Sequence, residues 1–85
     1  MATAKLRSFP RIIRLPGVQG GEPVVRGTRV PVRAIVLIWD AEPCIEAVQQ
    51  AYPRLGTEDV QQALDYYDVH REEMDEIIRA QLADG

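Results

Sequence analysis

Apolar residues fall in short groups along the chain, and the spacing within a group changes from one region to the next. Residues 1–10 are small and basic, show no periodicity and end in Phe9-Pro10, which reads as a flexible basic arm. Arg11-Ile12-Ile13-Arg14-Leu15 is β-branched with partial alternation and predicts a short strand; Val24-Val25-Arg26 predicts a second. Between them, Pro16-Gly17 and Gly20-Gly21-Glu22-Pro23 concentrate residues that bend a backbone, so the two strands should form an N-terminal hairpin. Pro31 suits a first helical position, where its missing N–H would have no partner anyway, and a helix is predicted over Val32 to Asp40. Its apolar residues lie on nearly every side, which fits a central helix or half of a dimer interface.

Ala41-Glu42-Pro43 interrupts that helix, because proline disfavours the helical region for the residue before it. A second helix is predicted over about Cys44 to Ala51, with Ile45, Val48 and Tyr52 on one face. Tyr52-Pro53-Arg54-Leu55-Gly56 is a stop and turn. Gly56 or Thr57 can cap a third helix whose first turn holds Glu58 and Asp59, where the helix dipole favours negative charge. Apolar positions then recur in steps of three and four, through Val60, Leu64 and Tyr67 to Met74 and Ile78, with the polar Arg71 and Gln81 on the same seam. Three short helices and a hairpin offer little surface for so long an amphipathic stretch. The segment after His70 is therefore expected to be a separate fourth helix or an extension that packs on another chain. The predicted organisation is a basic arm over 1–10, a hairpin with three helices over 11–67, and a partner-binding helix over 68–85. The fold class is mainly α, a small helical bundle with a short N-terminal β-hairpin and a C-terminal amphipathic helix.

At 85 residues one domain is the limit, and a chain of this size buries only about 60% of its unfolded surface, so a large internal active-site cavity is not expected. Five aromatic residues leave an aliphatic core. Cys44 alone cannot form an internal disulfide, and Cys44 with His70 cannot close a zinc site, so no metal or cofactor is expected. The longest apolar run, Ala34 to Trp39, is far short of the roughly 20 residues that cross a bilayer, and Met1 to Phe9 lacks a signal-peptide core. A soluble, cytoplasmic protein without a membrane partner is expected.

The formal net charge of −3 conceals a strong asymmetry. Through Arg33 there are seven Lys and Arg residues against Glu22 alone; beyond it, three arginines face twelve carboxylates. A chain divided in this way has two surfaces suited to different partners, or two that pair between copies. Two helices, a short turn and a third helix match helix-turn-helix spacing, but Thr57 to Tyr67 holds Glu58, Asp59 and Asp65 with no Lys or Arg. In that helix only Gln61 and Gln62 are suited to reading base edges, adenine first. No nucleophile and base fall together, so an enzyme is not expected; Cys44 most simply fills a turn, and Glu72-Glu73-Asp75-Glu76 reads as a solvated face.

The run from Pro16 to Val32, PGVQGGEPVVRGTRVPV, is the most distinctive in the chain. Gly27-Thr28-Arg29 delivers a fixed path to a helix start at Pro31, where the first N–H groups with Arg26 and Arg29 are suited to an anion, or where the glycines merely turn and the arginines pair with carboxylates. With Tyr52-Pro53-Arg54-Leu55 and Glu58 to Tyr66, this run resembles the domain of unknown function 433 family over about residues 11–67. Members are similar to VapB-type antitoxins, with a homeodomain-like helical fold and commonly a PIN-like ribonuclease toxin as partner. Where family members usually carry a glycine and then a serine between the first two helices, this chain has Glu42 and Cys44. It also has Gly56 in place of a threonine, which weakens capping.

The resemblance implies a type II antitoxin that neutralises its toxin and represses its own operon. On that expectation Arg11, Arg14, Arg26, Arg29 and Arg33 contact phosphates, Gln61 and Gln62 read bases, and a homodimer matches a two-fold operator. Met74, Ile77, Ile78 and Leu82 would dock on the toxin, with Arg71 and Arg79 inserted among its metal-binding carboxylates. Equally, Arg71 and Arg79 suit pairing with Glu72, Asp75 or Glu76 on the helix surface. The alternative is a homo-oligomeric interaction module, in which the basic half of one chain meets the acidic half of another without nucleic acid.

Overall fold

A computed structural model describes residues 9–15, 17 and 21–84, the side chains of 82–84 excepted. The order is β1 (Ile12–Ile13), β2 (Val24–Val25), α1 (Val32–Ala41), α2 (Ile45–Ala51), α3 (Thr57–Val69) and α4 (Arg71–Asp84). The architecture is mainly helical with a short antiparallel hairpin in front, as its hydrophobic pattern predicts. The arm over residues 1–8 and the turn residues Pro16 and Val18 to Gly20 lie outside the described residues.

β1 and β2 pair Ile12 with Val25 and Ile13 with Val24, and the ladder is extended by the Arg26 N–H donating to the Arg11 carbonyl at 2.7 Å. The chain leaves β2 through a tight turn: the Thr28 N–H donates to the Val25 carbonyl at 3.0 Å, with Gly27 at φ +81° in its third position. An L side chain at that φ would be strained, which explains the glycine. Thr28 locks the turn from both sides, its Oγ1 donating to the Val25 carbonyl (2.8 Å) and accepting from the Val30 N–H (3.0 Å). Arg26, Gly27 and Arg29 are left exposed at the tip.

Pro31 is the residue before α1 rather than its first helical position, extended at φ −79° and ψ 149°, with its carbonyl accepting from the Ala34 N–H at 3.0 Å. Proline does not need a helical ψ to begin this helix; its fixed φ suits the extended cap as well. α1 is the central element. Val32, Ile35 and Val36 are fully or almost fully buried, joined by Ile12, Val25, Val48, Leu55, Val60, Ala63 and Met74 in one aliphatic core. The α1 surface turned away from this core still carries Leu37, 41% exposed. Gly56 caps α3 from outside, its N–H donating to Asp59 Oδ2 at 2.9 Å, so the acidic first turn closes its own cap.

His70 interrupts the helical run for one residue, and α4 then folds back onto α1 and α3. Met74 is fully buried in the core, and Ile77 and Ile78 pack half-buried against it. The apolar stripe that the sequence left for another chain is therefore largely covered within its own monomer. The physical reason is that α1 is apolar on so many sides that α2 and α3 alone do not close it. Among the described residues no helix is long and apolar enough to cross a membrane.

Candidate nucleic-acid interface

Five front arginines were expected to face phosphates, and the fold separates them into two groups. Arg11 is tied to α3: its N–H donates to Gln62 Oε1 (3.0 Å), and its guanidinium to Asp59 Oδ1 (3.0 Å) and Glu58 Oε1 (2.8 Å). Asp59 first, and Glu58 with it, push the Arg11 guanidinium above its ordinary range. Arg14 pairs with Glu73 of α4 and donates to the Tyr66 hydroxyl at 3.2 Å. Arg33 grips Glu22 side-on, Nε to Oε1 and Nη2 to Oε2, both at 3.1 Å.

These three cations join the hairpin and α1 to carboxylates of the same chain. As phosphate contacts they are compromised, because each would have to leave a carboxylate first. Gln62 is likewise engaged, its carbonyl oxygen accepting from the Arg11 backbone. Gln61 remains exposed and donates to Asp65 Oδ1 at 3.2 Å.

Arg26 and Arg29 differ. Both are exposed, and neither has a side-chain hydrogen bond or ion pair among the described residues. The locked turn that presents them lies beside the α2–α3 turn, across a cleft of about 420 Å³ lined by Thr28, Val30, Ala51, Tyr52, Pro53 and Arg54. Arg54 is exposed as well, and no carboxylate holds it among the described residues. Arg54 lies in the acidic half, where division of the chain into charge blocks conceals it. The signal was present locally: Arg54 stands in a Pro53–Gly56 turn with its nearest carboxylate, Glu58, already inside the following helix. Arg54 lines this cleft, and Arg26 and Arg29 flank Thr28 on the turn opposite, so three exposed cations stand on the two turns that border it, the residue type that contacts phosphates.

The residues expected to meet a protein partner are placed differently. Met74, Ile77 and Ile78 face the core as described. Arg71 lies over the Tyr67 ring at 4.7 Å from its centroid and donates to Asp68 Oδ1 at 3.1 Å, and that bond is the main reason its guanidinium is pushed above the usual range. Arg79 is exposed beside Glu72, Glu73, Asp75 and Glu76 in an acidic depression on α4. The Leu82 side chain lies outside the described residues. Among the described residues no group of three or more His, Cys, Asp or Glu is arranged to hold a metal.

Comparison with known proteins places the chain. Residues 12–67 match the family model described as protein of unknown function (DUF433), and the chain belongs to that family. Among solved structures it is similar to the crystal structure of a DUF433 member protein from Anabaena variabilis ATCC 29413. The two share 31% identity at a TM-score of 0.75, covering 91% of this chain and 74% of the other. No curated protein matches it.

Proposed function

We propose that this chain is the cytoplasmic antitoxin of a type II toxin–antitoxin pair, neutralising a PIN-like ribonuclease and repressing its own operon as a DNA-bound homodimer. The observation that carries the nucleic-acid part is the separation of the arginines: Arg11, Arg14 and Arg33 pair with carboxylates of the same chain, while Arg26 and Arg29 on one side of the cleft and Arg54 on the other are exposed without carboxylate partners among the described residues. Those three, not the five read from the sequence, are the phosphate contacts, and exposed Gln61 is the remaining candidate for base reading. The exposed Leu37 face of α1 supports pairing of two copies across an operator dyad. The toxin contact, on this reading, uses a surface other than the packed stripe of α4.

Two experiments test the proposal. Co-expression with the PIN-like ribonuclease proposed as its partner should restore growth of a host that the nuclease alone arrests. A duplex from upstream of its own reading frame should be retarded in a gel by the purified chain, and less so by the Arg26→Ala/Arg29→Ala/Arg54→Ala form. Absence of both effects removes the proposal. Salt-sensitive self-association without DNA retardation would instead support the homo-oligomeric module, with the cationic end of one copy on the acidic α4 of the next.

A further inference from the structure

We infer that the groove between α1 and α3 is a receptor for an arginine side chain presented by a protein partner. The groove, about 410 Å³, has an apolar floor of Trp39, Leu64 and Tyr67, and its rim carries Asp40, Asp65 and Asp68. Its floor is rigid for a surface feature, because Tyr67 is pinned by its hydroxyl donating to Asp75 Oδ1 at 2.8 Å and Trp39 and Leu64 are half-buried on α1 and α3.

What such a site takes follows from its lining. Three carboxylates face a single cation, Arg71, so the groove is unbalanced toward negative charge and repels phosphates. A purely apolar ligand would have to desolvate the rim. A metal ion is not served either, since these carboxylates form no coordinating group. A planar guanidinium satisfies both parts at once, stacking on an aromatic face while donating to a carboxylate. The molecule already shows that contact in miniature: Arg71 lies 4.7 Å from the Tyr67 ring centroid and donates to Asp68. Asp40 has no partner among the described residues, and Asp65 accepts only the 3.2 Å bond from Gln61, so two carboxylates remain for an incoming arginine.

Arg71 is therefore an internal competitor, more than half exposed and displaceable. That the bearer of the arginine is the toxin rests on the function proposed above; the affinity of the groove for arginine does not. A nuclease that handles a polyanion displays cations, and the acidic, aromatic groove offers them what a nucleotide would.

Trp39 is the only tryptophan of the chain and forms part of the floor, so its emission reports occupancy directly. The intact protein is titrated with tetra-arginine, tetra-lysine and tetra-glutamate peptides. A saturable change in emission is expected with tetra-arginine, weaker by severalfold with tetra-lysine and absent with tetra-glutamate. Asp40→Asn/Asp65→Asn should weaken tetra-arginine about tenfold, whereas Glu72→Gln/Glu76→Gln on α4 should leave it unchanged. Arg71→Ala should tighten it severalfold. A non-saturating response, equal loss in the α4 variant, or weaker binding by Arg71→Ala overturns the assignment; far-ultraviolet circular dichroism confirms that each variant is folded. In co-expression, loss of rescue by Asp40→Asn/Asp65→Asn with DNA retardation intact ties the arginine to the toxin. Retained rescue overturns that identification and leaves the groove to be decided by the titration.

Discussion

Arg33 offers the sharpest test of how the cationic front is divided, because sequence patterning assigns it to phosphates and the fold assigns it to Glu22. Glu22 is 7% exposed and the Arg33 side chain 19%, so the pair is nearly out of water. It forms because the Val32 N–H donates to the Pro23 carbonyl at 2.9 Å, laying the Glu22-Pro23 segment along the first turn of α1. Arg33→Ala strands a buried carboxylate, for which the cost is about 3–5 kcal/mol. Partial access of water through the vacated guanidinium site puts the expectation near the lower end, about 3 kcal/mol. A domain of this length has roughly 4–13 kcal/mol of stability to lose, so the variant should be fragile but folded. Glu22→Gln should cost less, about 1 kcal/mol, because the arginine can turn toward solvent. Replacing both by methionine should return stability to within about 1 kcal/mol of the parent, since an apolar pair needs no desolvation. Urea unfolding followed by Trp39 emission reads all three, and with a slope of about 1 kcal/mol per molar, Arg33→Ala should lower the midpoint by about 3 M. The half-exposed Arg14–Glu73 pair is the control, with Arg14→Ala expected within about 1 kcal/mol of the parent. An Arg33→Ala midpoint indistinguishable from that of Arg14→Ala would refute the assignment of Arg33 to structure.

Three further expectations come from other parts of the molecule. Met74→Ala should destabilise the isolated chain by about 3 kcal/mol in a thermal melt, the cost of emptying a fully buried side chain; an unchanged melt would mean that the stripe does belong to another molecule. Gly56→Ser should stabilise by about 0.5–1 kcal/mol in the same assay, adding a cap oxygen and removing unfolded-state freedom. Its φ of −84° is open to any residue, and a Cβ there would meet nothing nearer than Asp59 Oδ2 at 3.7 Å. Tyr67 is held above the usual tyrosine value near 10, chiefly by its hydrogen bond to Asp75 and then by burial. A raised folded value means that the bond's stabilisation is complete below about pH 10 and is lost as the pH rises through the Tyr67 titration. Asp75→Asn should move one of the three tyrosine transitions in an ultraviolet absorbance titration back toward 10, and three unmoved transitions would contradict the coupling.

Local signals located the elements. The 3.6-residue spacing and the Pro43 and Pro53 breaks placed α1, α2 and the start of α3 within a residue, because those signals act over a few residues of chain. The hairpin was legible from Gly and Pro density, though only two residues on each side pair. The partners of the arginines were not legible. Arg11 meets Asp59 and Glu58 across 48 and 47 positions, and Arg33 meets Glu22 across a turn whose path depends on the Pro23 carbonyl. Charge blocks record sign but not facing, so a cation beside apolar strands looked available when it was already held. The α4 stripe misled for a similar reason. Periodicity states which residues a helix must cover, while the surface that covers them, here α1 and α3, is set by the tertiary fold. Arg54 was hidden for the opposite reason, as a cation in an otherwise acidic half that no carboxylate holds among the described residues.

On the proposed function, Arg26, Arg29 and Arg54 meet a polyanion while Arg11, Arg14 and Arg33 do not. The salt dependence of affinity for the upstream duplex measures this division most directly. Two copies with three phosphate contacts each should give a log–log slope of roughly −5, at about −0.9 per contact. The Arg26→Ala/Arg29→Ala/Arg54→Ala protein should flatten that slope nearly to zero, while Arg14→Ala leaves it within about one unit. A slope that survives the triple substitution, or that falls as far with Arg14→Ala, would contradict the account.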